Sequence, residues 1–150
     1  MTDKKNKKVI IYTDGACSGN PGKGGWGAVL SYGDKTKEIN GYNKHTTNNQ
    51  MELQAVAEAL KVLKRRCEVE IYTDSQYVKN GITKWIFNWK KNDWRNARKK
   101  PIKNKEFWEK LDEQVKRHDI EWHWVKGHST NELNNLADYL ATSAIEKHRS

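Results

Sequence analysis

Apolar residues along this chain follow two rhythms. Short runs rich in β-branched residues read as strands: about Val9 to Cys17, Gly25 to Tyr32, Lys37 to Tyr42, Glu68 to Thr73 and Ile120 to Val125. The second and third meet near Gly33-Asp34, which predicts a hairpin. Between and after these runs the spacing changes to i, i+3, i+4, i+7, the signature of a helix with one inward face. Leu53, Val56, Ala57, Leu60 and Leu63 set such a helix over Thr47 to Arg65, with Thr47-Asn48-Asn49 offering N-caps. Ser75 caps a short helix ending near Gly81, and another begins around Thr83. Phe107, Trp108, Leu111 and Val115 place a helix over Lys105 to His118, after the break at Pro101. Leu133, Leu136, Leu140 and Ile145 place the last one over Asn131 to Lys147.

The resulting order, β-β-β-α-β-α-α-α-β-α, predicts an α/β fold. Its sheet is five-stranded and mixed, an antiparallel meander plus parallel strands, with helices on both faces. The helix from Thr47 has the length of a crossover, so the first and fourth strands are expected side by side and parallel.

That pairing gives meaning to a repeated tetrapeptide. Ile11-Tyr12-Thr13-Asp14 and Ile71-Tyr72-Thr73-Asp74 end the two strands. Asp14 and Asp74 are therefore neighbours at the carboxyl edge of the sheet, where ligands of α/β proteins gather. Two acids there repel each other, and a cation between them relieves the repulsion. Glu52 lies in the first turn of the crossover helix. By itself it reads as an acid complementing the helix dipole. Val56, Ala59 and Leu63 follow it at helical spacing, however, so it starts a partly apolar stripe and is expected to face the pair. Asp138 interrupts an apolar stretch of the final helix, between Ala137 and Tyr139. Alone it is either a solvated position or an acid that needs a partner. His128 sits in a polar turn after the fifth strand. Alone it is either an idle loop residue or, with an ordinary pKa near 6.5, a proton carrier at neutral pH.

Charge adds a second feature. The chain of 150 residues carries a formal net charge of +9, but Lys84 to Lys105 alone holds +8 and the first eight residues +3. The remaining body is close to neutral, as expected of a local nucleic-acid footprint. Trp85, Trp89 and Trp94 alternate with Lys90 and Lys91 in this block. They read either as stems packed on the body or as a phosphate-contacting surface, and the charge concentration favours the second. Residues 1–8 are expected to form a flexible basic arm, and residues 9–150 a single domain. No apolar stretch approaches the ~20 residues needed to span a bilayer. Two cysteines without metal-type spacing, Cys17 and Cys67, read as buried free thiols of a reducing compartment, here the cytoplasm. The segment Gly19 to Gly27 lacks the Lys-Ser/Thr end of a phosphate loop and leads into a strand, so it is not a nucleotide motif. It reads instead as a tight turn whose backbone can approach a polynucleotide.

Four segments together resemble the type 1 ribonuclease H family of bacteria. They are Tyr12 to Gly22, Thr46 to Leu53, Thr73 to Val78 and Trp124 to His128. The likeness extends from about Val9 into the final helix. It implies an endonuclease that cuts the RNA strand of RNA–DNA hybrids with two Mg²⁺ (or Mn²⁺), leaving 5′-phosphate and 3′-hydroxyl ends. It further implies that Asp14, Glu52, Asp74 and Asp138 hold the metals and that His128 assists catalysis. By the same resemblance, Asn20, Asn48 and Gln76 meet the hybrid in its minor groove, and Thr47 and Asn104 hold a DNA phosphate. Asn134 lies near the active site, and the Trp/Lys block grips the DNA strand. The implied protein is a monomer whose partner is the hybrid, with no membrane and no preceding hybrid-binding domain. Two departures from the family pattern are Tyr42-Asn43-Lys44-His45, longer by a residue, and the loop Ser129 to Leu133. The readings set against this are a module that binds hybrids without cutting and a metal-dependent DNA nuclease or resolvase of similar fold.

Overall fold

A computed structural model describes residues 8–125 and 132–148. His128 and most of the expected basic arm lie outside the described residues. Five strands form one sheet in the order β3-β2-β1-β4-β5. They are β1 Val9–Ser18, β2 Gly22–Tyr32, β3 Lys35–Thr46, β4 Glu68–Thr73 and β5 Asp119–Trp124. β1, β2 and β3 make the antiparallel meander, and β4 and β5 join in parallel. Ile11 pairs with Ile71 and Tyr12 with Tyr72, so the two tetrapeptides run in register. Asp14 and Asp74 are thereby brought to the same edge, as expected.

The crossover helix α1, Asn48–Val62, begins where Thr47 accepts a hydrogen bond from the Gln50 backbone N–H. It stops short of the expected Arg65. The Arg117 guanidinium donates to the Leu63 carbonyl at 2.6 Å and takes the place of a further turn. The next two helices are not separate. α2 (Gln76–Asn80) continues through one π-helical turn, Gly81–Trp85, into α3 (Ile86–Lys91). Thr83 does not start a helix; its hydroxyl donates to the Lys79 carbonyl within the continuing one. The wide turn lies on Trp108, and a Cβ at Gly81 would fall inside the indole. α4 is Lys105–Val115 and α5 is Glu132–Lys147.

Leu53, Val56 and Leu60 of α1, with Trp108 and Leu111 of α4, fill the main core against Ile11 and Ile71. The opposite face is covered by α5, packed over β1, β2 and β3. The face of α5 that is most enclosed consists of Ala137, Ala141, Ala144 and the expected Ile145, whereas Leu133, Leu136 and Leu140 are partly buried and pack against Tyr12 and Val29. Small residues lead here because the helix rides directly on glycine. A Cβ at Gly27 would lie 2.5 Å from the Ala137 carbonyl oxygen and 2.7 Å from Leu140 Cβ. Gly25 and Gly27 of β2 thus admit the helix. Cys17 and Cys67 are unpaired but half-buried, not enclosed.

Gly27→Ala should therefore separate α5 from the sheet and lower stability by about 1–3 kcal/mol, as overpacking does. Urea unfolding measures this, and a wild-type midpoint would show that the close approach carries no load.

Candidate active site

Asp14 and Asp74 arrive from strand ends, and Glu52 is delivered by the first turns of α1. The approach of α1 to β1 is made possible by Gly15, where a Cβ would lie 2.6 Å from the Glu52 nitrogen. One carboxylate oxygen from each of Asp14, Glu52 and Asp74 then lies within 4.8 Å of the others. Asp138, on the exposed side of α5, hydrogen-bonds Asp14 and completes the group. The four acids line a cavity of about 470 Å³ whose rim carries Asn48, Gln76 and Asn134.

Crowding changes the proton affinity of these groups. Burial, the hydrogen bond to Asp138 and the charge of Asp74 push the Asp14 carboxyl up to about 8. Burial, followed by the charges of Asp14 and Asp74, holds Glu52 well above the ordinary carboxylate range. The Gly15 N–H, donating to Asp14 Oδ1 at 2.9 Å, pulls both partway back. Glu52 Oε1 is enclosed and has no hydrogen-bond partner among the described residues. Such an atom is costly unless a cation meets it. The all-oxygen donor set suits a hard divalent ion, so the residues present fit one.

The other expected site residues fall into three groups. Asn20 Oδ1 accepts from the Asn48 N–H at 3.1 Å, tying the β1–β2 turn to the start of α1. Thr47 and Asn104 are joined through Gln50, whose backbone N–H donates to Thr47 and whose side chain donates to Asn104 Oδ1 at 3.0 Å. Asn104 in turn donates to the Tyr77 hydroxyl, which also accepts from the Trp108 indole. Gln50, Tyr77 and Trp108 escaped the sequence reading because nothing in their spacing marks a network that forms only on folding. The basic block divides as well. Lys90 Nζ lies 2.8 Å from Asp112, a buried acid of α4, so it anchors the block. Lys91 is exposed. Trp89 and Trp94 are half-buried, with Trp89 packed on Trp108 at 5.2 Å between ring centroids, while Trp85 is 36% exposed.

A mixed sheet with acids at adjacent parallel strand ends, closed by two helix-borne acids beside a cationic arm, defines a class: the ribonuclease H-like α/β enzymes. The chain belongs to the ribonuclease H family, whose model (RNase H) matches residues 6–146. It is thereby an enzyme of a metal-dependent family. It is 61% identical over 141 residues to a ribonuclease H of Bradyrhizobium diazoefficiens, covering 94% of this chain and 92% of that one. It is 56% identical over 142 residues to a ribonuclease H of Francisella tularensis subsp. novicida, covering 95% and 93%. Among solved structures it resembles LC9-RNase H1, a type 1 RNase H with the type 2 active-site motif. That likeness has a TM-score of 0.84 at 30% identity, over 94% of this chain and 73% of that one. It also resembles LC11-RNase H1 in complex with an RNA/DNA hybrid, with a TM-score of 0.73 at 28% identity, over 95% and 100%.

The raised carboxyls give a stability prediction for metal-free protein. A folded-state value above the unfolded one means that the native state holds the extra proton. Stability is greatest below about pH 4 for this group and is lost as pH rises through about 8. Asp14→Asn should then stabilise the metal-free chain by on the order of 1–2 kcal/mol near pH 9 and hardly at all near pH 4. Denaturation at the two pH values checks it, and a pH-independent difference would contradict the shared-proton arrangement.

Proposed function

We propose that this chain hydrolyses the RNA strand of RNA–DNA hybrids as an endonuclease, with two Mg²⁺ held by Asp14, Glu52, Asp74 and Asp138 and ends left as 5′-phosphate and 3′-hydroxyl. The observation that carries the reading is the convergence of Asp14, Glu52 and Asp74 around the unpartnered Glu52 Oε1. A pair of divalent ions in such a site lowers the pKa of water and neutralises charge on the leaving oxygen. The rest is the work of the chain itself. Asp14, beside Asp138 and accepting from the Gly15 N–H, would hold the ions together with Glu52, Asp74 and Asp138. Asn48, Gln76 and Asn134 at the rim, and Asn20 beside Asn48, offer uncharged donors and acceptors. Such groups can read the 2′-hydroxyl that separates RNA from DNA. Asn104 and Thr47 are held by Gln50 at a distance from the acids, where the other strand's phosphate would lie. His128 is assigned a supporting role in proton transfer or product departure. Lys91 and Trp85, at the exposed side of the basic arm, are assigned to the DNA strand, and Trp89, Trp94 and Lys90 to the platform beneath them. The half-buried, unpaired thiols accord with a reducing cytoplasm, and the chain is taken to act as a monomer.

End-labelled hybrid, with each strand labelled in turn and with and without Mg²⁺, tests this. Cuts should appear only in the RNA strand and only with the metal. Matched cutting of duplex DNA would instead favour a DNA nuclease, and tight hybrid binding without cleavage a binding module. Asp14→Asn should reduce cleavage by about a thousandfold or more while leaving the chain folded. The two lysines should separate. Lys91→Ala should raise KM and flatten its salt dependence without loss of stability. Lys90→Ala, which leaves the buried Asp112 only the longer contact to Lys116, should also lower the melting temperature. Equal effects of the two on stability would remove the distinction.

A further inference from the structure

We propose that Glu70, Glu121 and His123 form a second cation site, suited to a zinc-type divalent ion, on the open face of β4 and β5. The site follows from register. Glu70 pairs with Glu121 and Tyr72 with His123 across the parallel strands, and alternation places all four on one face. α5 covers β1, β2 and β3 and leaves this corner accessible: the His123 side chain is 32% exposed and that of Glu121 56%. Two carboxylates directly opposite each other repel. The only ammonium near them among the described residues is Lys8, at a long 3.5 Å from each and itself exposed.

His123 Nε2 points into this gap. It lies 2.8 Å from Glu121 Oε2 and 3.7 Å from Glu70 Oε1. Yet it is shielded from solvent and makes no hydrogen bond of acceptable geometry among the described residues. A nitrogen so placed has its lone pair available to a cation that both carboxylates share. One ligand atom from each of the three residues lies within 4.8 Å of the others. The surroundings already orient the donors. The Tyr72 hydroxyl donates to Glu70 Oε1 at 3.1 Å, and the Tyr72 ring stacks on His123 at 4.5 Å between centroids. Tyr12 backs that stack at 4.7 Å. Outer contacts of this kind fix ligand geometry at metal sites. One imidazole and two carboxylates favour zinc-type ions, with water filling the fourth position, whereas an all-oxygen set favours magnesium. The ion displaces the Lys8 ammonium, takes a neutral imidazole, and pins β5, the sheet's outer strand, to β4.

Zinc titration of the full chain by calorimetry, in the presence of saturating Mg²⁺ to occupy the catalytic acids, tests this. One zinc equivalent should bind and raise the melting temperature. His123→Phe keeps the ring stack and Glu121→Gln keeps the shape, so both variants should fold. Each should weaken zinc binding by about tenfold or more, and Tyr72→Phe should weaken it to a lesser degree. Asp14→Asn should leave it unchanged, and Lys8→Ala should tighten it. Zinc affinity unaltered in His123→Phe, or lost in Asp14→Asn, would overturn the proposal.

Discussion

Carboxylates that repel one another are held together here by backbone that comes too close for any side chain. Gly15 lets the N-terminus of α1 settle on β1, and Gly27 lets α5 settle on β2. The first contact delivers Glu52 and the second sets the helix that carries Asp138. A side chain at either glycine would push its helix, and the acid it carries, away from Asp14. The strength of the site's assembly thus lies in apolar packing behind it, in Leu53, Val56 and Leu60 on one face and Ala137 and Ala141 on the other. The electrostatics oppose that assembly and are tolerated. Protons, and then cations, reduce the opposition.

Much of this was legible in the sequence, and the reasons are physical. β-Branched runs alternate with turn residues, so the five strands and their order followed from pattern alone. The crossover length made β1 and β4 parallel neighbours, and the repeated Ile-Tyr-Thr-Asp then put two acids at one edge. Glu52 was recoverable because it begins an apolar stripe. Asp138 was harder, since its own helix face is exposed and only the resemblance singled it out. What stayed hidden depends on contacts between distant segments. The leucines and Ile145 of α5 do pack inward, but the alanines between them sit deepest because glycine opposes them. Helices α2 and α3 looked separate because Gly81 reads as a helix end. In the structure the helix runs on through a π-helical turn there, and the missing side chain at Gly81 accommodates Trp108.

The basic block shows why charge density alone is a blunt guide. A run of lysines and tryptophans reads as one binding surface, yet its members do different work. Lys90 neutralises Asp112 together with Lys116, and this pins the arm to α4. Trp89 and Trp94 stack toward Trp108 and form a floor. The Arg95–Pro101 bridge and the left-handed Trp94 and Lys99 fold the remainder back on itself.

The protonation state of the acids links fold, metal and pH. With the Asp14 carboxyl lifted to about 8 and Glu52 also raised, the metal-free site at neutral pH holds protons that an exposed set of carboxylates would have lost. A cation that binds must expel them, since protonated carboxyls are poor ligands. Affinity for the ion is therefore coupled to pH through the same burial that shapes the site. The coupling also makes Glu52 more than an extra ligand. Being the most enclosed acid of the trio, with an oxygen that no other described residue satisfies, it has the most to gain from an ion and the least access to water as a substitute. Its burial converts a general attraction for cations into a demand for one at a fixed place beside Asp14 and Asp74.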